Sequence, residues 1–237
     1  IRKYALTLIT LLFGAMIHAQ QLPLTNEAAR LCQQKQLDSA LEKSRLALAD
    51  ASEVADAYTW YVHGFVLKEI YKEREYGLRS SPIREDAVNA FNRSMEMKNA
   101  QQHLVMTQLA LKYLASTYYN DALQAGQSTA ELAETEANAL FAKFEKWFML
   151  AEPGVSTNSY RKEFIKSLGQ RYFALWQRDT DNDTNRKKAA AQYETILSID
   201  STDVDAYYNL SVIHYNQAVF MYRKINHETD LFDMMTI

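Results

Sequence analysis

Six glycines and three prolines are all that this chain of 237 residues has for making sharp turns. A fold of many short strands needs reversals every few residues, and reversals draw on those two residue types for positive φ or for a preset φ. A sandwich or barrel is therefore excluded, and an all-α protein of long helices with few corners is expected. Hydrophobic residues make up 48% of the chain and charged residues 23%, which is enough apolar material for a core and excludes wholesale disorder. The formal net charge is −3, without the basic excess that holds phosphates, so nucleic acid is not an expected partner.

The first nineteen residues read as a separate object. Arg2 and Lys3 precede the uncharged run from Tyr4 to Ile17, and a small residue, Ala19, follows before Gln20. A basic start, an apolar stretch and a small residue at the cut are the marks of a secretory signal, expected here over residues 1–19. The apolar run is shorter than the ~20 residues that a membrane-spanning helix needs, so no membrane span is expected once the signal is cleaved. Removing it leaves 24 basic against 29 acidic residues, a net charge of −5, which disfavours an anionic membrane surface. Export points to the periplasm or the periplasmic face of the outer membrane. The single cysteine, Cys32, allows no internal disulfide, and it lies thirteen residues past Ala19, so it does not fit a lipid attachment site. Its expected role is that of a small hydrophobe in a helix.

From residue 20 onward the same helical frame recurs. Trp60, Gly64 and Leu67 form one instance, Leu168, Gly169 and Tyr172 a second, and Tyr207, Leu210, Ser211 and His214 a third. The small residue lets a neighbouring helix come close, and the large ones fill the space beside it. A second kind of helix alternates with these. It carries Ala40 and Ala47, then Ala87, Phe91 and Ser94, then Ala189, Tyr193 and Ile196.

On these residues the chain resembles the tetratricopeptide repeat (TPR) family. That framework has an aromatic at position 4, Leu-Gly at 7 and 8, Tyr at 11, Ala at 20, an aromatic at 24, Ala at 27 and Pro at 32. The resemblance implies a right-handed α-solenoid of antiparallel helix pairs over residues 20–237, a TPR-like superhelix of about four and a half repeats that continues beyond Ile237. The position-8 residues fall at Ala28, Gly64, Ala110, Gly169 and Ser211, spaced by 36, 46, 59 and 42. The family period is about 34, so insertions are expected, one over residues 73–82 and another over 179–185. Long helices are expected at about 100–125 and 129–151, the latter ended by Glu152-Pro153-Gly154. A helix over 203–226 is expected to leave Ile213, Val219 and Phe220 uncovered.

Chemistry is harder to find. There is no glycine-rich phosphate loop, no Gly-x-Ser-x-Gly elbow and no His-Glu-x-x-His helix. One cysteine cannot assemble a structural zinc site, and His63 and His214 fall at packing positions of the repeat. No cofactor and no catalytic role are expected. Asp179, Asp181 and Asp183 alternate like the first half of a calcium loop, but Thr184 and Ala190 stand where an EF-hand needs Gly and Glu, which leaves at most a weak calcium site.

The resemblance implies a binding scaffold whose first helices line a concave groove. Carried onto this sequence, its groove positions include Tyr58, Tyr61 and Phe65, then Lys166 and Gln170, then Tyr208, Asn209 and Tyr215. Tyr, Asn and Phe suit an extended peptide or a partner helix. Each aromatic serves either a ligand or the packing of the next repeat. The other class is a helical carbohydrate-capture protein, similar to outer-membrane starch-utilisation lipoproteins, in which aromatics stack on sugar rings. The missing lipid-attachment cysteine and the lack of a long aromatic-rich loop stand against it.

Overall fold

The computed structural model describes residues 23–235, with side chains up to Asn226. The expected signal at residues 1–19 lies outside the described residues. Nine α-helices and no strand occur among the described residues, so the protein is all-α. The chain divides into two compact units, Ile1–Ala110 and Leu111–Ile237.

The first unit contains α1 (Leu24–Gln33), α2 (Leu37–Ala49), α3 (Ala57–Ile70), α4 (Pro82–Glu96) and the opening turns of α5 (Leu104–Gln127). Each packs on the next from α1 to α4, and α1 also reaches α3, two helices on. The helix ends are held by identifiable groups. The Glu53 carboxylate, in the turn before α3, accepts the Leu24 and Thr25 N–H groups at 2.9 and 2.8 Å, satisfying orphan donors at the start of α1. Asp56 caps α3 by accepting from the Tyr58 N–H at 2.9 Å. Ser81 does the same for α4 through the Arg84 N–H at 2.9 Å, with Pro82 in the first turn. Between α1 and α2, Lys35 adopts φ 61°, and the N–H groups of Lys35 and Gln36 close onto Cys32 and Leu31.

Around the stretch 73–82, α3 runs on into a π-helical turn, Tyr71–Glu75. Gly77, at φ 87°, then makes the reversal.

The second unit holds the rest of α5, then α6 (Ala133–Ala151), α7 (Asn158–Arg178), α8 (Asp183–Ile199) and α9 (Val204–Met235). The expected helix end at 152–154 is present, with Gly154 at φ 87°. An aromatic cluster joins α5, α6 and α7. Phe141 stacks on Phe164 at 4.2 Å between ring centres, and Tyr119 lies 5.0 Å from Phe144 and 5.1 Å from Tyr160. Farther along, Tyr172, Ala189, Tyr193, Ile196, Ala206 and Ile213 form a core shared by α7, α8 and α9.

The same close crossing occurs once in each unit. A Cβ placed on Gly64 would fall 2.9 Å from the Phe91 ring, and one on Gly169 would fall 2.9 Å from the Tyr193 ring. In both, a glycine of one helix lies under an aromatic of the next, at the positions where the sequence frame puts a small residue and a large one. The alanines of the second helices, Ala40, Ala47, Ala87 and Ala189, are completely buried. Ala110 on α5 is buried, and farther along the same helix a Cβ on Gly126 would collide with the Ser167 hydroxyl of α7.

The apolar stripe expected to be bare on α9 is not bare. Ile213 is buried in the α7–α9 core, and Val219 and Phe220 are half-buried beside Trp176. The face left open carries Tyr207, Tyr208, Tyr215, Tyr222 and Ile225 instead.

Candidate functional site: an aromatic cavity on α3

Tyr58, Tyr61 and Phe65 follow one another at spacings of three and four, so they form one stripe along α3. The structure brings them together around a cavity of about 250 Å³, with Cys32 and Gln33 of α1 on one wall and Met106 of α5 on another. The rings touch in series. Tyr58 and Tyr61 are 6.1 Å apart, Tyr61 and Phe65 5.9 Å, and the His103 ring lies 4.8 Å from Tyr58. Tyr61 is only 8% exposed and also meets Phe91, so much of its surface serves packing. Tyr58 and Phe65 are half-buried and present ring surface to the cavity.

A charged cluster adjoins this cavity. The Lys68 ammonium sits 4.1 Å from the centre of the Phe65 ring, a cation–π contact. The buried Glu69 carboxylate binds Lys68 at 2.7 Å, Lys35 at 2.9 Å and Lys72 at 3.2 Å. Burial alone would raise the Glu69 pKa, but the hydrogen bonds from Lys68, Lys35 and Lys72 outweigh it and hold the carboxyl at about 2.

Sequence reasoning did not place Cys32, Gln33 or Met106 at the site, since nothing local marks them and they join α3 only through helix packing. Cys32 is 3% exposed and carries a free thiol. Burial and the Glu69 charge push its pKa up, against the pull of Lys35 and Lys68, so it stands as a thiol and not as a nucleophilic thiolate.

On the far side of α3, His63 meets Ser44 at 2.9 Å through Nδ1. The Ser44 hydroxyl donates to the Leu41 carbonyl at 2.9 Å, which makes Nδ1–H the donor in the histidine bond. Burial pushes the imidazole down to about 4, Arg45 pushes the same way, and Asp86 opposes them. A neutral histidine spent on a buried serine is a packing group, as its repeat position implied.

The remaining expected groove residues lie in the second unit and are less concentrated. Lys166 is half-buried and pairs with Asp205 at 2.7 Å, tying α7 to α9. Gln170 is exposed. Tyr208 and Tyr215 are 68% and 70% exposed. The Asn209 amide donates to the Asp205 carbonyl of its own helix at 2.7 Å, which spends one of its two N–H donors within the helix.

The acidic run does not converge. Asp183 is held by Arg186 and Lys187, the latter at 2.9 Å, and these contacts draw its pKa down to about 2. Asp181 lies 4.0 Å from Lys224. No group of three His, Cys, Asp or Glu side chains is gathered for a metal among the described residues. No described helix is long and apolar enough to cross a membrane.

An all-α protein with helix pairs, a repeated glycine–aromatic crossing and an aromatic cavity is therefore the class that the fold and site define. No protein-family model matches the chain, and no curated protein or solved structure is similar to it.

Proposed function

We propose that this chain is a non-catalytic scaffold or adaptor of the bacterial cell envelope that binds a peptide or a partner protein. In this reading its helix pairs stack as a right-handed solenoid of the TPR kind, and the groove lies along the first helix of each pair. The observation that carries the reading is the cavity beside Tyr58, Tyr61 and Phe65, with its wall of half-buried rings. Aromatics in a partly closed, water-excluding recess are where binding energy concentrates in protein interfaces. The glycine–aromatic crossings at Gly64–Phe91 and Gly169–Tyr193 support the repeat frame on which the groove assignment rests. Export to the periplasm or to the periplasmic face of the outer membrane rests on the signal pattern of residues 1–19.

A second reading draws on α9. Tyr208, Tyr215 and Tyr222 recur every seven residues and are all about two-thirds exposed. Such rings on one helix face suit stacking against sugars and favour the carbohydrate-capture reading.

A pull-down from the native envelope separates the two. The bait is wild type or the Tyr58→Ala/Phe65→Ala variant, whose melting is first checked against wild type. The scaffold reading expects a protein partner that the variant loses, a truncation of two interface aromatics costing roughly thirtyfold or more in affinity. Equal recovery by both baits would mean that this stripe only packs. No protein recovered by either, together with signal on an oligosaccharide array, would favour the sugar reading.

A further inference from the structure

Helix α9 has one side in the core and one in water. Ala206 and Ile213 turn into the core shared with α7 and α8. The opposite side is exposed from Val204 to Ile225, a rise of about 32 Å. A helix face left to water is where charged residues normally collect. This one holds no Asp, Glu, Lys or Arg.

Two series interleave along it. Tyr208, Tyr215 and Tyr222 recur every seven residues, and Val204, Ser211, Ala218 and Ile225 recur every seven between them. The steps alternate between four and three, which is the seam of a two-helix coiled coil. All seven residues are exposed, and at the middle of the seam each large ring is followed or preceded by Ser or Ala.

That alternation selects an orientation. Two such helices running in the same direction would set Tyr against Tyr, and Ser or Ala against its own kind, crowding one layer and leaving a void in the next. Running in opposite directions, about a two-fold axis at the level of Asn216 and Gln217, they fit. Tyr215 then lies over Ala218 of the second copy, Tyr222 over Ser211 and Tyr208 over Ile225. Covering Ser211 costs little, because its hydroxyl already donates to the Tyr207 carbonyl at 2.9 Å.

The area is also sufficient. Tyr207, Tyr208, Tyr215 and Tyr222 are 53–70% exposed. At ~150–250 Å² for a whole aromatic side chain, these four leave roughly 400–650 Å² open. Val204, Met221 and Ile225 extend the face to the ~600–800 Å² per partner that the smaller stable interfaces bury.

We propose that α9 pairs antiparallel with α9 of a second copy of this chain, forming a two-fold dimer whose seam is Tyr208, Tyr215 and Tyr222 seated over the smaller residues. The inference goes beyond the scaffold reading and does not rest on the cavity of α3. It competes with the sugar reading for the same tyrosines. Sugar recognition sets hydrogen-bonding groups beside the rings, and here the Ser211 hydroxyl is spent on its own helix. One helix per copy at the low end of interface size holds at about micromolar concentration, so dilute chain is a monomer with Tyr215 at its surface.

Sedimentation velocity on the full chain, across a concentration series through the micromolar range, should show conversion from one chain mass to two. Tyr215→Lys/Ala218→Lys gathers four lysines in the seam and should weaken pairing at least about 100-fold, with the melting of dilute protein unchanged because both positions are exposed. A short bismaleimide linker reads the register. Ala218→Cys should be joined to its copy, since the two sites lie about 5 Å apart along the axis, and Ser211→Cys should not, at about 16 Å. Both variants keep every tyrosine, and wild type, whose Cys32 is 3% exposed, gives the background. One chain mass at every concentration would overturn the inference. Oligosaccharide-array signal lost in Tyr215→Lys/Ala218→Lys would then assign the face to sugar. A dimer that the two lysines leave intact would overturn it by placing the contact elsewhere, and linkage at Ser211 equal to that at Ala218 would overturn the antiparallel seam. None of these failures touches the scaffold reading, which stands or falls on Tyr58 and Phe65.

Discussion

Helices α3 and α9 carry the same kind of aromatic stripe and meet opposite fates. On α3, the neighbours α1, α4 and the start of α5 enclose Tyr61 to 8% exposure and leave Tyr58 and Phe65 half-open around a cavity. On α9, α8 and the end of α7 cover the Ala206 and Ile213 side, while Tyr208 and Tyr215 remain about 70% exposed. Residue type does not separate the two helices, since both stripes are aromatic at helical spacing. The number of helices that reach each face does. A stripe touched from several sides becomes part core and part recess. A stripe touched from none is surface that can stack but cannot enclose.

Truncation should expose this contrast most sharply. Tyr61→Ala removes a ring packed against Phe91 and Phe65, and should cost about 3–5 kcal/mol of stability by urea denaturation. Tyr215→Ala on α9 should stay within about 0.5 kcal/mol. A cost at Tyr215 comparable to that at Tyr61 would mean that α9 is covered in solution.

The second test uses pH to ask how closed the first unit is. His63 has a folded pKa of about 4 against an ordinary value near 6.5. Below 6.5 the unfolded chain takes up this proton first. The contribution is therefore whole above pH 6.5, falls as the pH drops, and is spent near pH 4, amounting to about 3 kcal/mol. Urea midpoints at pH 7 and 4.5 should show most of that loss in wild type and much less in His63→Gln. Glu69 acts in a lower window, from its ordinary value down to about 2, so it leaves this range largely untouched. A wild-type slope equal to that of the variant would mean that the α2–α3 interface admits water.

The smallest effect compares the two glycine crossings. At Gly64 a new Cβ meets the inner part of the Phe91 ring, Cγ, Cδ1 and Cε1, whereas at Gly169 it meets the outer end of Tyr193, Cε2, Cζ and the hydroxyl. The outer end of a side chain gives way more cheaply. Gly64→Ala should thus cost about 1–3 kcal/mol, and Gly169→Ala less, with thermal melts as the readout. The reverse order would show that α7 and α8 are the more rigidly packed pair.

Helices, the scarcity of corners and the crossing residues Gly64, Phe91, Gly169 and Tyr193 were legible from the chain alone. They follow from local physics, because turn residues are scarce and a small residue at helical spacing from large ones marks a close approach. On α5 this reading chose Ala110, which is buried, while the close approach of Gly126 to Ser167 was not read, because only the packing of α7 reveals it. The stripe Tyr58, Tyr61 and Phe65 was likewise visible in the sequence. Its cavity was not, since Cys32 and Met106 are 26 residues before and 41 after the nearest member, and only packing makes them neighbours. On α9 the sequence named Ile213, Val219 and Phe220 as the open face, and packing buried Ile213 and half-covered the other two. Periodicity determines that a helix has two unlike sides. Which side is buried depends on contacts made across tens of residues, and those were decided only in the tertiary structure.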